Sequence, residues 1–562
     1  MTAATLPASS RFETDPIAAR LRSNAVVLGY DRDPVVHGVD LAIPDGEITA
    51  IVGPNGCGKS TLLRGLARLH RPAGGGVVLD GELIHQLPTM EVARRVGLLS
   101  QQRTPPGGIT VVELARRGRY PHQGFFQPPS KRDEEAVEQA LELTGMTAMR
   151  DRRVDDLSGG QRQRAWLTMA LAQDTPILLL DEPTTWLDLS HQLEVLELVR
   201  RLNREQGRTV AMVLHDVNEA ARWSDNLVAM RDGRIIRSGP PTEVLDPAVL
   251  ADIYGLACDV VVHPSDGCPW CVVRAAATKP DPLASHEPGP GLSVRGLRAG
   301  YGGPPVLDGV DLDIPGGAVT AIVGPNGCGK STLLRACGRA LVPSDGTVTV
   351  DRANVRAGSH KAFARRVSLL SQNAAPLDGF TVEDLVSSGR TPWRSLLRQW
   401  SRDDEAAVDA ALRRCGVAKF RQRPLAELSG GQRQRAWMAM ALARQTPVML
   451  LDEPTTFLDL PSQIRVLDLL RGLNREDGRT VVMVLHDLTM AARYADWLVV
   501  MKEGAVVAAG PPTTVLTDTL LRDVFGVDAL VVRDPADDAP LVLPISAISA
   551  ARPAPEVAAA AA

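Results

Sequence analysis

One sequence is written twice in this chain, and the two copies keep a constant register of 271 positions within 562 residues. Tyr30 returns as Tyr301, Lys59 as Lys330, Gln101 as Gln372, Ser158 as Ser429, Glu182 as Glu453 and His215 as His486. A period this long is a whole domain, unlike the short unit of a solenoid, which needs neighbours to bury its core. Each copy must therefore close a core of its own within about 250 residues. The expected layout is a flexible tail over 1–20, a domain over 21–274, a proline-rich linker over 275–291, a second domain over 292–543 and an Ala/Pro-rich tail over 544–562. Fully extended, the linker spans at most roughly 60 Å, enough for two domains to meet face to face.

With 44% apolar and 23% charged residues, the composition is that of an ordinary globular protein. A net charge of −4 argues against a nucleic-acid surface. No apolar run reaches the roughly 20 residues needed to cross a bilayer. Residues 1–20 lack the apolar stretch behind basic residues that marks a secretory signal. The expectation is a soluble cytoplasmic protein whose membrane span, if it acts at a membrane, comes from other chains.

Short apolar runs predict buried strands over 47–53, 177–181 and 210–214, and helical spacing marks 60–69 and 161–172. Strands alternating with helices imply a mostly parallel α/β sheet. Residues 53–60 read GPNGCGKS between a strand and a helix, and 324–331 repeat them letter for letter. This is a phosphate-binding loop in its confirming context. Gly53, Asn55, Gly56 and Gly58, with Gly324, Asn326, Gly327 and Gly329, let backbone N–H groups converge on phosphates at a helix start. Lys59 and Lys330 are placed for the β/γ-phosphates, Ser60 and Ser331 for Mg2+, with Thr61 and Thr332 beside them. Asp181 and Asp452 end apolar strands, where an acid suits Mg2+, and the adjacent Glu182 and Glu453 can polarise an attacking water. His215 and His486 end another strand in each copy, where a γ-phosphate contact is expected.

A further element, Ser158-Gly159-Gly160-Gln161 after Leu157, opens a helix, as does Ser429-Gly430-Gly431-Gln432 after Leu428. One phosphate loop suffices to bind a nucleotide, so a second set of convergent backbone donors needs a reason. The combined pattern resembles the ATP-binding cassette ATPases, whose signature is LSGGQ, and the resemblance covers nearly the whole chain twice. It implies tandem P-loop domains, each with a mostly parallel core sheet and a helical subdomain, that bind ATP and Mg2+. In that family two cassettes close head to tail, so Lys59 would share a nucleotide with Ser429 and Gly431, and Lys330 with Ser158 and Gly160. Tyr30 and Tyr301 match the aromatic that stacks on adenine. Gln101 and Gln372 match the glutamine that senses Mg2+ and couples to membrane subunits, and Asp188 and Asp459 match the aspartate at the cassette interface. Both sites look complete, so two hydrolytic sites are expected.

Three roles compete: importer motor, soluble twin-cassette protein of the translation-factor kind, and exporter component. Twin-cassette translation factors typically carry a long charged linker and end the signature in glutamate, whereas this chain has a proline-rich linker and glutamine twice. Exporters often carry an acidic/glycine segment before the signature, where this chain has Arg153-Val-Asp-Asp156 and Pro424-Leu-Ala-Glu427. The runs Gly118-Arg-Tyr-Pro121 and Gly389-Arg-Thr-Pro-Trp393, the QRQRAW extension and DEPTT are similar to ATPases of iron–siderophore, haem and cobalamin importers. That group implies transmembrane permease subunits and a solute-binding protein as partners, at the cytoplasmic face of the membrane. It usually uses two copies of a single cassette, and Pro461-Ser462-Gln463 departs from its pattern where His191-Gln192 follows it. A fused pair suits a permease with two different halves or with two identical ones.

Cys268-Pro-Trp-Cys271 has redox spacing but no thioredoxin-like context, and the second copy has Ala539-Pro-Leu-Val542, so an incidental pair is expected. Cys57 and Cys328 lie inside the phosphate loops, where a helix start is expected to lower a thiol pKa.

Overall fold

The computed structural model describes residues 19–30, 33–100, 107–124, 128–185, 187–274, 291–371, 379–394, 400–456, 458–534 and 537–548. The chain forms two compact units, one of Met1–Leu187 and His191–Val273 and the other of Asp188–Ser190 and Arg274–Ala562. Most of the expected linker and tails, and Gln101 and Gln372, lie outside the described residues.

In the first unit the strands Val96–Leu99, Ile177–Asp181, Thr209–Val213, Ile48–Val52 and Asn226–Arg231 stand side by side and parallel, and Arg234–Gly239 closes the edge antiparallel. Ile177–Asp181 and Thr209–Val213 are buried along their whole length, as strands covered on both faces must be. The expected strand over 177–181 is observed at those bounds, and the one over 210–214 begins and ends a residue earlier. Beside this sheet lies an antiparallel one, ordered Asp33–Ile43, Leu21–Tyr30, Gly74–Leu79 and Glu82–Leu83. Residues Leu21, Val26, Leu28 and Val36 of that sheet join Leu62, Leu63 and Leu66 of the phosphate-loop helix and Ile51 and Leu179 of the parallel sheet in one core. The second unit repeats this arrangement with Val448–Leu451, Thr480–Val484, Val319–Val323 and Trp497–Lys502 as its inner strands.

A helical subdomain follows Val96–Leu99. Val111–Arg117, Lys131–Leu143 and Gly159–Ala172 each begin with a capping box, made by Thr110 with Glu113, Ser130 with Asp133 and Ser158 with Gln161. Thr381, Ser401 and Ser429 make the same three caps in the second unit. Reciprocal capping satisfies two backbone donors at each start, which fixes where these short helices begin.

The Gly-Arg pair of the 118–121 motif holds this subdomain together. A Cβ on Gly118 would lie 2.2 Å from the Met169 carbonyl oxygen, and one on Gly389 would lie 2.3 Å from that of Met440, so only glycine fits. That approach brings Arg119 to Asp133 at 2.8 Å and to the Ala172 carbonyl at 2.9 Å, all inside the subdomain. Arg390 does the same with Asp404 and Ala443.

Each unit ends in a two-stranded hairpin, Cys258–Val262 with Pro269–Val273 and Val527–Arg533 with Pro540–Ala547. The second hairpin continues past Leu543, the expected end of the domain, into the expected tail. Arg493 clasps it through a buried ion pair with Asp534 and a second with Asp537 at 3.2 Å. In the first unit His263 occupies the matching position, and Arg222 pairs instead with Asp266 at 2.7 Å.

Candidate functional site

In each unit the phosphate loop, the acidic pair and the histidine come together at the carboxyl ends of the parallel strands, the usual ligand edge of an open α/β sheet, while the signature residues open a helix of the helical subdomain. The phosphate loop leaves Ile48–Val52 and turns into the helix Lys59–Leu66. Gly58 takes φ +100° there and Gly329 takes +101°, a conformation that side-chain-bearing residues rarely adopt. Neither helix start has a side-chain cap or an acidic residue in its first turn, which leaves its N–H groups and its partial positive charge for an anion. Lys59 is buried, and its Nζ donates to the carbonyls of Gly53 at 2.7 Å and Pro54 at 3.0 Å. Lys330 donates to Gly324 at 2.7 Å and Pro325 at 2.8 Å. The ammonium is thus fixed at the mouth of the loop.

Ser60 Oγ donates to Asp181 Oδ1 at 2.7 Å, and Ser331 Oγ to Asp452 Oδ1 at 2.8 Å. Burial pushes the Asp452 carboxyl above its ordinary value, against the hydrogen bond from Ser331. A buried carboxylate beside a hydroxyl, both hard oxygen donors next to the phosphate loop, fits Mg2+.

Glu182 and Glu453 both adopt φ +53°, the left-handed region, which costs about 1 kcal/mol or more for such a residue. This conformation belongs to the turn that leaves the acidic strand. His215 Nε2 lies 2.8 Å from Glu182 Oε2, and Thr185 Oγ1 donates to the same oxygen at 3.2 Å. His486 lies 2.7 Å from Glu453 Oε1, and Thr456 donates to Oε2 at 2.9 Å. Burial pushes these carboxyls up, but the histidine and threonine outweigh it and hold both below the ordinary carboxyl value. Each is therefore ionised at neutral pH and able to take a proton or orient a water.

Ser158 and Ser429 cap their own signature helices, accepting from the N–H groups of Gln161 at 3.3 Å and Gln432 at 3.4 Å. Gly159, Gly160, Gly430 and Gly431 form the first turns. Sequence reasoning missed the link from this helix to the acidic loop: Gln163 Nε2 donates to the Pro183 carbonyl at 2.8 Å, and Gln434 to that of Pro454 at 3.2 Å. It also missed Thr185 and Thr456. Both pairs recur at the repeat spacing, which was the available signal. Asp459 caps the following helix by accepting from Ser462 N at 3.1 Å, while Asp188 accepts from Ser190 Oγ at 3.3 Å. Tyr30 and Tyr301 are exposed, each with its hydroxyl held by an arginine, Arg64 at 3.3 Å and Arg335 at 3.2 Å.

The loop thiols behave differently from expectation. Burial pushes Cys57 and Cys328 up, and the charges of Lys59 and Lys330 only partly oppose it. Both should react with iodoacetamide more slowly at pH 8 than an ordinary cysteine and faster as the pH is raised, as peptide mapping by mass spectrometry would read. ATP should slow them further, and fast labelling at pH 7 would contradict the burial. Cys271 stands opposite Val260 within the hairpin, whereas Cys268 lies before the strand, its carbonyl accepting from His263 N at 2.8 Å, and both cysteines are free thiols. Among the described residues no group of three His, Cys, Asp or Glu could hold a metal.

The sequence model of the family described as ABC transporter matches this chain twice, over residues 36–185 and 307–456. Similar proteins include the ferric enterobactin transport ATP-binding protein FepC of Escherichia coli (strain K12), 55% identical over 254 residues, 45% of this chain and 94% of that protein. The probable siderophore transport system ATP-binding protein YusV of Bacillus subtilis (strain 168) is 49% identical over 252 residues, 45% of this chain and 92% of its own length. Among solved structures, an RNase-L Inhibitor aligns over 92% of this chain and 96% of its own with a TM-score of 0.61. At 23% identity that is a likeness of fold alone.

Proposed function

Because this chain belongs to the ABC transporter family and is an ATP-binding ATPase with two cassettes, we propose that it is the motor of an importer for an iron–siderophore or related metal chelate. The observation that carries this reading is the 55% identity to a ferric enterobactin transport ATP-binding protein along 94% of that protein. Its partners in this reading are transmembrane permease subunits and, through them, a solute-binding protein, with the chain at the cytoplasmic face of the membrane. No helix among the described residues is long and apolar enough to cross a membrane.

The cassettes span 21–274 and 292–543 in this proposal, and ATP draws them together head to tail. The loop N–H groups take the phosphates of ATP, with Lys59 or Lys330 at the β/γ-phosphates and Tyr30 or Tyr301 on the base. Ser60, Asp181 and Gln101, with Ser331, Asp452 and Gln372, hold Mg2+, which neutralises phosphate charge when bound. Glu182 and Glu453, kept ionised by His215 and His486, orient the attacking water. Ser158 to Gln161 of one cassette and Ser429 to Gln432 of the other close over the partner's nucleotide, with Asp188 and Asp459 at the meeting face. Hydrolysis removes the γ-phosphate that both sides hold, and the pair opens.

The rival reading is a soluble twin-cassette ATPase acting outside transport, an arrangement of two cassettes in one chain that the fold likeness along 92% of the chain shares. Purification of the tagged chain from native membranes in detergent, with mass spectrometry of what accompanies it, separates the two. Recovery of multi-span subunits is the expected result. Recovery of ribosomes, with no membrane subunit, would overturn the importer assignment.

A further inference from the structure

The two cassettes share every catalytic side chain described above, yet they differ beneath the tyrosine. In the first, the ring of His70 lies against that of Tyr30, with centroids 4.9 Å apart and planes inclined by 46°. Its Nε2 is hydrogen-bonded to the carbonyl of Gly29, the residue before that tyrosine. The imidazole is therefore tied to the end of the strand that carries the phenol. The second cassette has Leu341 at this position. The backbone there is the same: His70 N donates to the Arg64 carbonyl at 3.2 Å, and Leu341 N to that of Arg335 at 3.1 Å. Leu341 packs against the apolar core instead and carries no ring to offer.

Both tyrosine hydroxyls meet an arginine, and that of Tyr301 also meets the Thr332 hydroxyl at 3.5 Å, but among the described residues only Tyr30 has a second ring, that of His70, against its side. Tyr30 is 48% exposed and Tyr301 58%, so both keep a side open to a ligand. A platform whose rotamer is already fixed loses less freedom when a base stacks on it. Aromatic pairs of this geometry also favour a fixed arrangement beyond the area they bury.

We propose that His70 is a positioning residue that braces Tyr30 as a platform for a purine base, so that the first cassette holds its nucleotide more tightly than the second. The inference rests on the reading that Tyr30 and Tyr301 receive the base. It makes the two ATP sites unequal through their base platforms, although their phosphate-handling residues match.

The test is equilibrium binding to the full chain without Mg2+, with the other cassette silenced by Lys330→Ala or Lys59→Ala. ATP and inorganic tripolyphosphate, which has no base, are compared. His70→Leu, a residue the same turn already accepts in the second cassette, should weaken ATP at the first by about two- to tenfold and leave tripolyphosphate unchanged. Leu341→His should tighten ATP at the second cassette by a similar factor. An unchanged ATP affinity in His70→Leu, or an equal loss with tripolyphosphate, would overturn the bracing role. Tyr30→Ala separates the two levels: if it leaves ATP affinity unchanged, the base-platform reading itself is wrong.

Discussion

In the proposed mechanism a chain carrying Glu182→Gln together with Glu453→Gln should bind ATP, stay closed around it and hydrolyse it more slowly by about 10²-fold or more. Glutamine keeps the shape of the side chain and an oxygen to accept from Thr185 or Thr456, so the left-handed turn at φ +53° is undisturbed. What it loses is the charge. The carboxylates are held below the ordinary carboxyl value by the neighbouring histidine and threonine, so each is ionised across the neutral range. An amide cannot take a proton from water. Phosphate release measures the loss, and gel filtration with labelled ATP shows the trapped state. Turnover at the normal rate in the double variant would remove both residues from the chemistry. The single variants carry separate information: half the activity remains if the sites act independently, and almost none if each waits for the other.

The parts of this site that could be read from the sequence are those whose chemistry fixes their spacing. The loop 53–60 needs its glycines where the backbone turns, and the strand Ile177–Asp181 needs an unbroken apolar run because both faces are covered. The antiparallel sheet was less legible. Leu21–Tyr30 alternates buried and half-buried positions irregularly, with register shifts against its neighbours. The loop thiols show one rule overruled by another: a helix start lowers a thiol pKa, but burial of Cys57 and Cys328 weighs more. Arg119 stood out only as part of a family motif, and its pairing with Asp133 escaped, since an arginine and an aspartate fourteen positions apart read as surface residues unless the fold is known to bury both.

That buried pair carries the largest expected effect on stability. Arg119→Ala should destabilise the first cassette by about 3–5 kcal/mol, because it leaves a buried charge without its partner. Asp133 would keep only Ser130, whose N–H and hydroxyl reach its Oδ2 at 2.9 and 2.7 Å, and the Ala172 carbonyl would lose its donor at the end of the signature helix. Burial pushes the Asp133 carboxyl up, but the bonds from Ser130 and Arg119 outweigh it and bring it down to about 2. A carboxyl depressed in the folded state stabilises it above the unfolded value of about 3.9 and loses that contribution as the pH falls through about 2. Arg119→Ala should therefore be weaker at neutral pH and also lose part of this acid dependence. Arg390→Ala should do the same to the second cassette through Asp404, whose carboxyl is likewise held down. Calorimetry of each variant should show one transition moved and the other in place. A shift below about 1 kcal/mol would mean that water replaces the guanidinium. A full shift would make this clamp, rather than the exposed ion pairs around it, the element that fixes the signature helix against the segment following Val96–Leu99.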